Sequence, residues 1–278
     1  MLKQRVITGV LLVLFVLVVV FLLPLSWMAF IFAGVAVLGV WEWASLSGIH
    51  AQWARWLYAA ALIPGLAALW LLCDLGGQPA RAQVQPWLGL ACVFWSLALF
   101  LVKYYPSGAD LWRFGVIRAL MGWLILGATW LALIFLKTMP MGGLLVLLLL
   151  ILVAAADIGA YFIGRRFGVH QLTPAVSPGK TWEGLWGGVL AVFIITVIVF
   201  QNLPPTLAHL RIASVLLLAF AVAGASVVGD LTVSMLKREA GVKDTSHLLP
   251  GHGGFMDRID SICGAAPTFA LGLILMSY

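Results

Sequence analysis

Residues 243–260 read KDTSHLLPGHGGFMDRID, a cluster of polar side chains in a chain that is otherwise mostly apolar. Asp257 and Asp260 are three apart, so a helix starting there puts both on one face. A helix N-terminus favours carboxylates in any case. Asp230, in AVAGASVVGDLTVSMLKR, adds a third acid from another helix end. Asp230, Asp257 and Asp260 together make a set of hard oxygen ligands. Such ligands suit Mg²⁺, which takes one or two carboxylates plus substrate phosphates. Lys237, Arg238, Lys243 and Arg258 bring positive charge beside them, and Ser234 follows Asp230 by one turn. The PGHGG turn supplies backbone that wraps closely around a phosphate at Gly253 and Gly254. His252, between glycines, either donates to a phosphate oxygen or caps the helix. His247 and His252 lack a third nitrogen or sulfur ligand, which argues against zinc.

A second constellation, VSPGKTWEG, puts Ser177, Lys180 and Thr181 at the mouth of a helix, where backbone N–H groups bind anions. Its likeness to a phosphate-binding NTPase loop is superficial. That pattern needs glycine where Pro174 stands, and no strand is expected before it. Metal-type carboxylates, several bases and two glycine-bearing loops point to phosphoryl or nucleotidyl transfer, with a metal neutralising the developing charge.

The elements that must position these groups are membrane helices. Of 278 residues, 63% are hydrophobic and 9% charged, against about 25% charged in ordinary soluble domains. Spans of roughly 20 apolar residues fall near 6–23, 27–46, 56–73, 87–102, 115–135, 142–163, 184–201, 212–235 and 259–277. The expected fold is therefore all-α and polytopic, with about nine transmembrane helices. The basic, apolar start has no small-x-small cleavage site and reads as a retained first helix. With the N-terminus in the cytoplasm, thirteen of the sixteen Lys and Arg residues fall on the cytoplasmic side, as the positive-inside rule requires. The net charge of +6 is then mostly topology, and no basic stripe with interleaved aromatics suggests nucleic acid. Most of the thirteen tryptophans are expected near helix ends as interfacial anchors.

Seven of the ten carboxylates follow residue 150, all at or near the cytoplasmic side. Residues 1–140 thus read as a transmembrane scaffold and residues 141–278 as a catalytic region with cytoplasmic loops. Asp157 and Asp230 lie at membrane depth, where an acid usually has a task or a partner; the bland partner for either is Lys237 or Arg238. Cys73, Cys92 and Cys263 have no paired spacing and read as packing residues. Glu42, in WEWASL, has no role that the sequence supplies.

Residues 234–260, SMLKREAGVKDTSHLLPGHGGFMDRID, resemble the signature of the bacterial phosphatidate cytidylyltransferase (CDP-diacylglycerol synthase) family. Ser234, Lys237, Arg238, Lys243, Asp244, Pro250, His252, Gly253, Gly254, Asp257, Arg258 and Asp260 fill every position of it. VSPGKTWEG, ADIGAYFIGRRFG and WEWASLSG are similar to further family segments. The resemblance implies CMP transfer from CTP to phosphatidic acid, giving CDP-diacylglycerol and pyrophosphate for phospholipid synthesis. It also implies a dimeric multi-pass protein of the bacterial inner membrane with its site facing the cytoplasm. Mg²⁺, with a monovalent cation such as K⁺ beside it, would sit among Asp230, Asp257 and Asp260. Lys237, Arg238, Lys243, Asp244, His252 and Arg258 would act in catalysis. Ser177, Lys180, Thr181, Ser234, Gly253 and Gly254 would bind substrate.

Two other classes stay open at this point. A CTP-dependent polyprenol kinase would share the nucleotide and the scaffold but release CDP. A transporter using Asp157 and Asp230 as a cation path would consume no CTP. A CDP-alcohol phosphotransferase would carry a DGxxAR-type cluster, which is absent from the sequence.

Overall fold

A computed structural model describes residues 2–204, 207, 209–246, 248 and 253–276, with side chains from Ile7 onward. Among these residues the apolar runs fold as ten α-helices: α1 (Leu2–Leu22), α2 (Leu25–Leu46), α3 (Gln52–Ala60), α4 (Leu62–Leu72), α5 (Arg81–Lys103), α6 (Gly115–Thr138), α7 (Gly142–Phe167), α8 (Trp182–Gln201), α9 (Ile212–Glu239) and α10 (Met256–Leu275). Eight segments are long and apolar enough to cross a membrane, with α3 and α4 forming one of them, Gln52–Leu72. In α1 the apolar stretch Ile7–Leu22 is shorter and takes the place of the first expected span. The protein is an all-α polytopic membrane protein.

Several boundaries differ from expectation, each for a local reason. The span expected over 56–73 starts earlier and breaks at Ala61. Pro64 has no N–H to donate to the Ala60 carbonyl, so the ladder is interrupted there. α7 and α9 run on to Phe167 and Glu239. Their last turns carry Arg165 and Arg166, and Lys237 and Arg238, bases that the negative helix end favours. α10 begins at Met256 rather than at 259, which puts Asp257 inside its first turn.

The segment before α8, expected to be a loop, is a two-stranded antiparallel hairpin. β1 (Gln171–Thr173) pairs with β2 (Ser177–Thr181), with Thr173 opposite Ser177. Polar contacts hold it rather than β-propensity. Glu183 accepts from the Val169 and His170 N–H groups at 3.1 and 3.3 Å and lies 2.7 Å from His170 Nδ1.

The core lies where α2, α6, α9 and α10 meet. Trp43 and Trp130, expected among the interfacial anchors, are buried there instead. Trp43 Nε1 donates to the Arg118 carbonyl (2.7 Å) and Trp130 Nε1 to the Ala29 carbonyl (2.9 Å), clamping α2 to α6. Without a hydrophobic drive between helices inside a bilayer, small residues let backbones approach. A methyl group at Gly264 would overlap the Ala225 carbonyl oxygen, and one at Gly229 the Asp260 carbonyl oxygen. That contact between α9 and α10 brings Asp230 beside Asp260. The three cysteines are free thiols.

Candidate active site

α9 presents Asp230, Ser234 and Lys237 at i, i+4 and i+7, a spacing that aligns them along one helical face. Ser234 Oγ donates to Asp230 Oδ1 at 3.1 Å. The other oxygen, Asp230 Oδ2, lies 2.6 Å from Lys180 Nζ, which arrives on β2. The partner of Asp230 is thus Lys180, not Lys237 or Arg238. One turn further along, Lys237 Nζ donates to Asp257 Oδ1 at 2.7 Å. Those two side chains are only 12% and 4% exposed, so this ion pair is largely out of water.

Asp257 organises the turn before α10. Its Oδ2 accepts from the Thr245 N–H (2.9 Å), the Gly254 N–H (3.0 Å) and the Thr245 hydroxyl (3.1 Å). Gly253 has φ +80°, a left-handed conformation that a side chain resists, and a methyl there would also press on Asp257 Oδ2 at 3.3 Å. Asp260 is buried and accepts from the Ser261 N–H at 2.8 Å. It interacts electrostatically with Asp230, Lys237 and Lys180. Asp157, on α7, interacts with the same Asp230 and Lys180. The centre is therefore a chain of carboxylates from α7, α9 and α10, interleaved with lysines from β2 and α9.

The structure brings Asp230 and Asp260 together and holds Asp257 apart on Lys237. Among the described residues, no group of three or more His, Cys, Asp or Glu side chains sits at metal-ligating spacing. Two adjacent carboxylates, one of them buried, still fit a hard divalent cation that completes its shell with substrate phosphates.

The remaining candidates sit around this centre. Thr181 caps α8, its hydroxyl accepting from the Gly184 N–H at 3.1 Å. Ser177 opens β2 and is half-buried. Arg238 Nε donates to the Val176 carbonyl at 3.2 Å, fastening the hairpin to the end of α9. Lys243 and Asp244 are exposed in the loop after α9. Arg258, exposed, faces an apolar cavity on another side of α10. His252, Pro250 and His247 lie outside the described residues.

Glu42 is the residue that sequence reasoning missed. It is fully buried. Its Oε1 accepts from the Ser246 hydroxyl (2.5 Å) and the Phe255 N–H (2.8 Å). Its Oε2 accepts from the Thr245 hydroxyl (3.0 Å) and the Met256 N–H (2.7 Å). Glu42 thus satisfies two of the open N–H groups where α10 begins and pins the loop whose Thr245 binds Asp257. A membrane helix of the N-terminal half holds the C-terminal site in place. The only signal in the sequence was an acid inside an apolar segment.

Comparison with known proteins gives a consistent result. The family model for the Cytidylyltransferase family matches residues 3–276. A phosphatidate cytidylyltransferase of Pseudomonas aeruginosa is 45% identical over 97% of this chain and 96% of its own length. One from Haemophilus influenzae is 39% identical over 97% and 98%. One from Mycobacterium bovis is 30% identical over 99% and 89%. The chain belongs to the cytidylyltransferase family.

Proposed function

We propose that this member of the cytidylyltransferase family transfers CMP from CTP to phosphatidic acid, releasing pyrophosphate and forming CDP-diacylglycerol for phospholipid synthesis. The observation that carries this reading is the near full-length similarity to enzymes named for that reaction. The site's chemistry supports it. The lipid phosphate is anionic at neutral pH and needs no strong base. Its oxygen attacks the α-phosphorus of CTP in line, and the bond to the bridging oxygen of pyrophosphate breaks, that oxygen keeping the electron pair. Charge spreads over phosphoryl oxygens in the transition state, so stabilising and positioning groups dominate catalysis.

Lys180 and Lys237 supply two such groups. Each rests on a carboxylate, at 2.6 and 2.7 Å, and would turn to triphosphate oxygens when the nucleotide arrives. Arg238 and Lys243 would add charge at the rim, Arg258 would bind the lipid phosphate, and His252 would donate to a phosphate oxygen. Ser234 orients Asp230. Asp244, against the Gly253 turn, would position the loop, and the backbone at Gly253 and Gly254 would approach the phosphates. Ser177 and Thr181 would set the hairpin edge for the nucleotide. Asp230 and Asp260 would hold Mg²⁺, with Asp257 joining on release of Lys237 and a monovalent cation such as K⁺ beside them. The metal's contribution would be neutralisation of the leaving pyrophosphate.

In this reading residues 141–278 form the catalytic region on the scaffold of residues 1–140. The protein lies in the bacterial inner membrane as a homodimer with about nine spans. Its N-terminus and site face the cytoplasm, where CTP is found; the Lys and Arg bias supports that orientation. Purified protein given CTP, Mg²⁺ and phosphatidic acid should release pyrophosphate only when all three are present. CDP as the released nucleotide, with an isoprenoid alcohol as acceptor, would overturn the reading.

A further inference from the structure

The carboxylates and lysines of the site offer no surface for an acyl chain. On another side of α10 lies a cavity of about 460 Å³, walled by α1, α2, α6, α7 and α10. Val35, Leu133, Leu147, Ile151 and Ile262 are typical of its lining. Arg258 is the sole charged residue among the described residues that line it. Arg258 sits in the first turn of α10, directly after Asp257. Successive helical side chains point about 100° apart. The same turn therefore faces the carboxylate site with one residue and the cavity with the next.

Charge and depth restrict what can fill this space. Hydrocarbon tails are as apolar as the lining, so entry from the bilayer gains nothing from the hydrophobic effect. Shape and headgroup must select the occupant. Arg258 stands exposed at the first turn of α10, where a guanidinium favours an anion that accepts its charged hydrogen bonds, and no carboxylate is ion-paired with it among the described residues. We propose that the cavity takes one acyl chain of an anionic lipid, the phosphatidic acid acceptor, whose phosphate Arg258 holds at the edge of the site. This inference rests on the reading that a lipid phosphate is the acceptor.

The test uses the full-length protein in phosphatidylcholine vesicles with a phosphatidic acid that carries a diazirine in mid-chain. After irradiation, adducts are expected on Val35 and Leu147, which line the cavity and are only partly exposed. Excess unlabelled phosphatidic acid should abolish them, and phosphatidylcholine should not. Arg258→Ala should remove the preference for the acid. Ala154→Phe, or Val35→Phe should the first fail to fold, narrows the cavity. Either should crowd the chain out sterically and raise KM for a long-chain acid about tenfold, the low end of what overpacking costs, with KM for CTP unmoved. Adducts on outward residues such as Leu90 and Val93, or equal labelling by a phosphatidylcholine probe, would mean bulk lipid only and overturn the proposal. Cavity labelling without pyrophosphate release would keep the lipid site and remove the reaction. Pyrophosphate release without cavity labelling would do the reverse.

Discussion

Glu42→Gln keeps the size of a fully buried side chain and changes one oxygen to an NH₂. Each oxygen of Glu42 serves one backbone N–H and one hydroxyl. A hydroxyl can rotate and accept from the new amide. A backbone N–H cannot, so whichever way the amide is placed, Phe255 or Met256 faces a donor. An unsatisfied buried N–H costs about 1–3 kcal/mol. The two bonds on the surviving oxygen also weaken, because hydrogen bonds to ionised acceptors are roughly twice as strong as neutral ones. Together the loss is about 3–5 kcal/mol, concentrated at the start of α10 and the Thr245–Ser246 loop. Since about 1.4 kcal/mol is a factor of ten, amide exchange at Phe255 and Met256 should accelerate about a hundredfold or more. Turnover should fall with it, because Asp257 depends on the same turn, while the variant still inserts in the membrane. Wild-type exchange at these amides together with wild-type turnover would refute the assignment of Glu42 as the clamp of the site.

Lys237→Met leaves the Asp257 carboxylate buried without its cation, which should cost about 3–5 kcal/mol; thermal unfolding in detergent should show a clear loss, and an unchanged midpoint would contradict the buried ion pair. Asp257→Asn should abolish pyrophosphate release and, because it breaks the same buried pair, also lower the unfolding midpoint while the protein still inserts; turnover retained at saturating Mg²⁺ would remove Asp257 from the catalytic set. Gly264→Val drives its side chain into the Ala225 carbonyl, so α9 and α10 must separate; loss of activity is expected, and a fully active, equally stable variant would show that the close crossing does not set the Asp230–Asp260 approach.

The architecture was legible because hydropathy in a membrane chain is a strong, local signal. That Ser234 follows Asp230 by one turn on the same face was legible too, since one helix places them by spacing alone. Contacts between distant elements were not. The partners of Glu42 lie 203 to 214 residues away, and nothing near WEWASL announces them. The hairpin before α8 escaped because Ser-Pro-Gly-Lys-Thr lacks strand propensity. It is held by Glu183 and Arg238, from outside the strands. Lys180 was a phosphate candidate on sequence, but its carboxylate partner depends on how β2 meets α9. The sharing-out of the carboxylates also needed the structure. Spacing put Asp257 and Asp260 on one face, whereas the turn locked by Thr245 and Gly254 reserves Asp257 for Lys237.

The central claim is that this membrane site moves CMP from CTP to a lipid phosphate. The most direct test is to follow pyrophosphate and CDP-diacylglycerol together, using purified protein with CTP, Mg²⁺ and phosphatidic acid. The account predicts equimolar formation of both, abolished when any of the three is withheld. CTP consumption without a cytidylylated lipid, or no consumption with any phosphatidic acid, would contradict it.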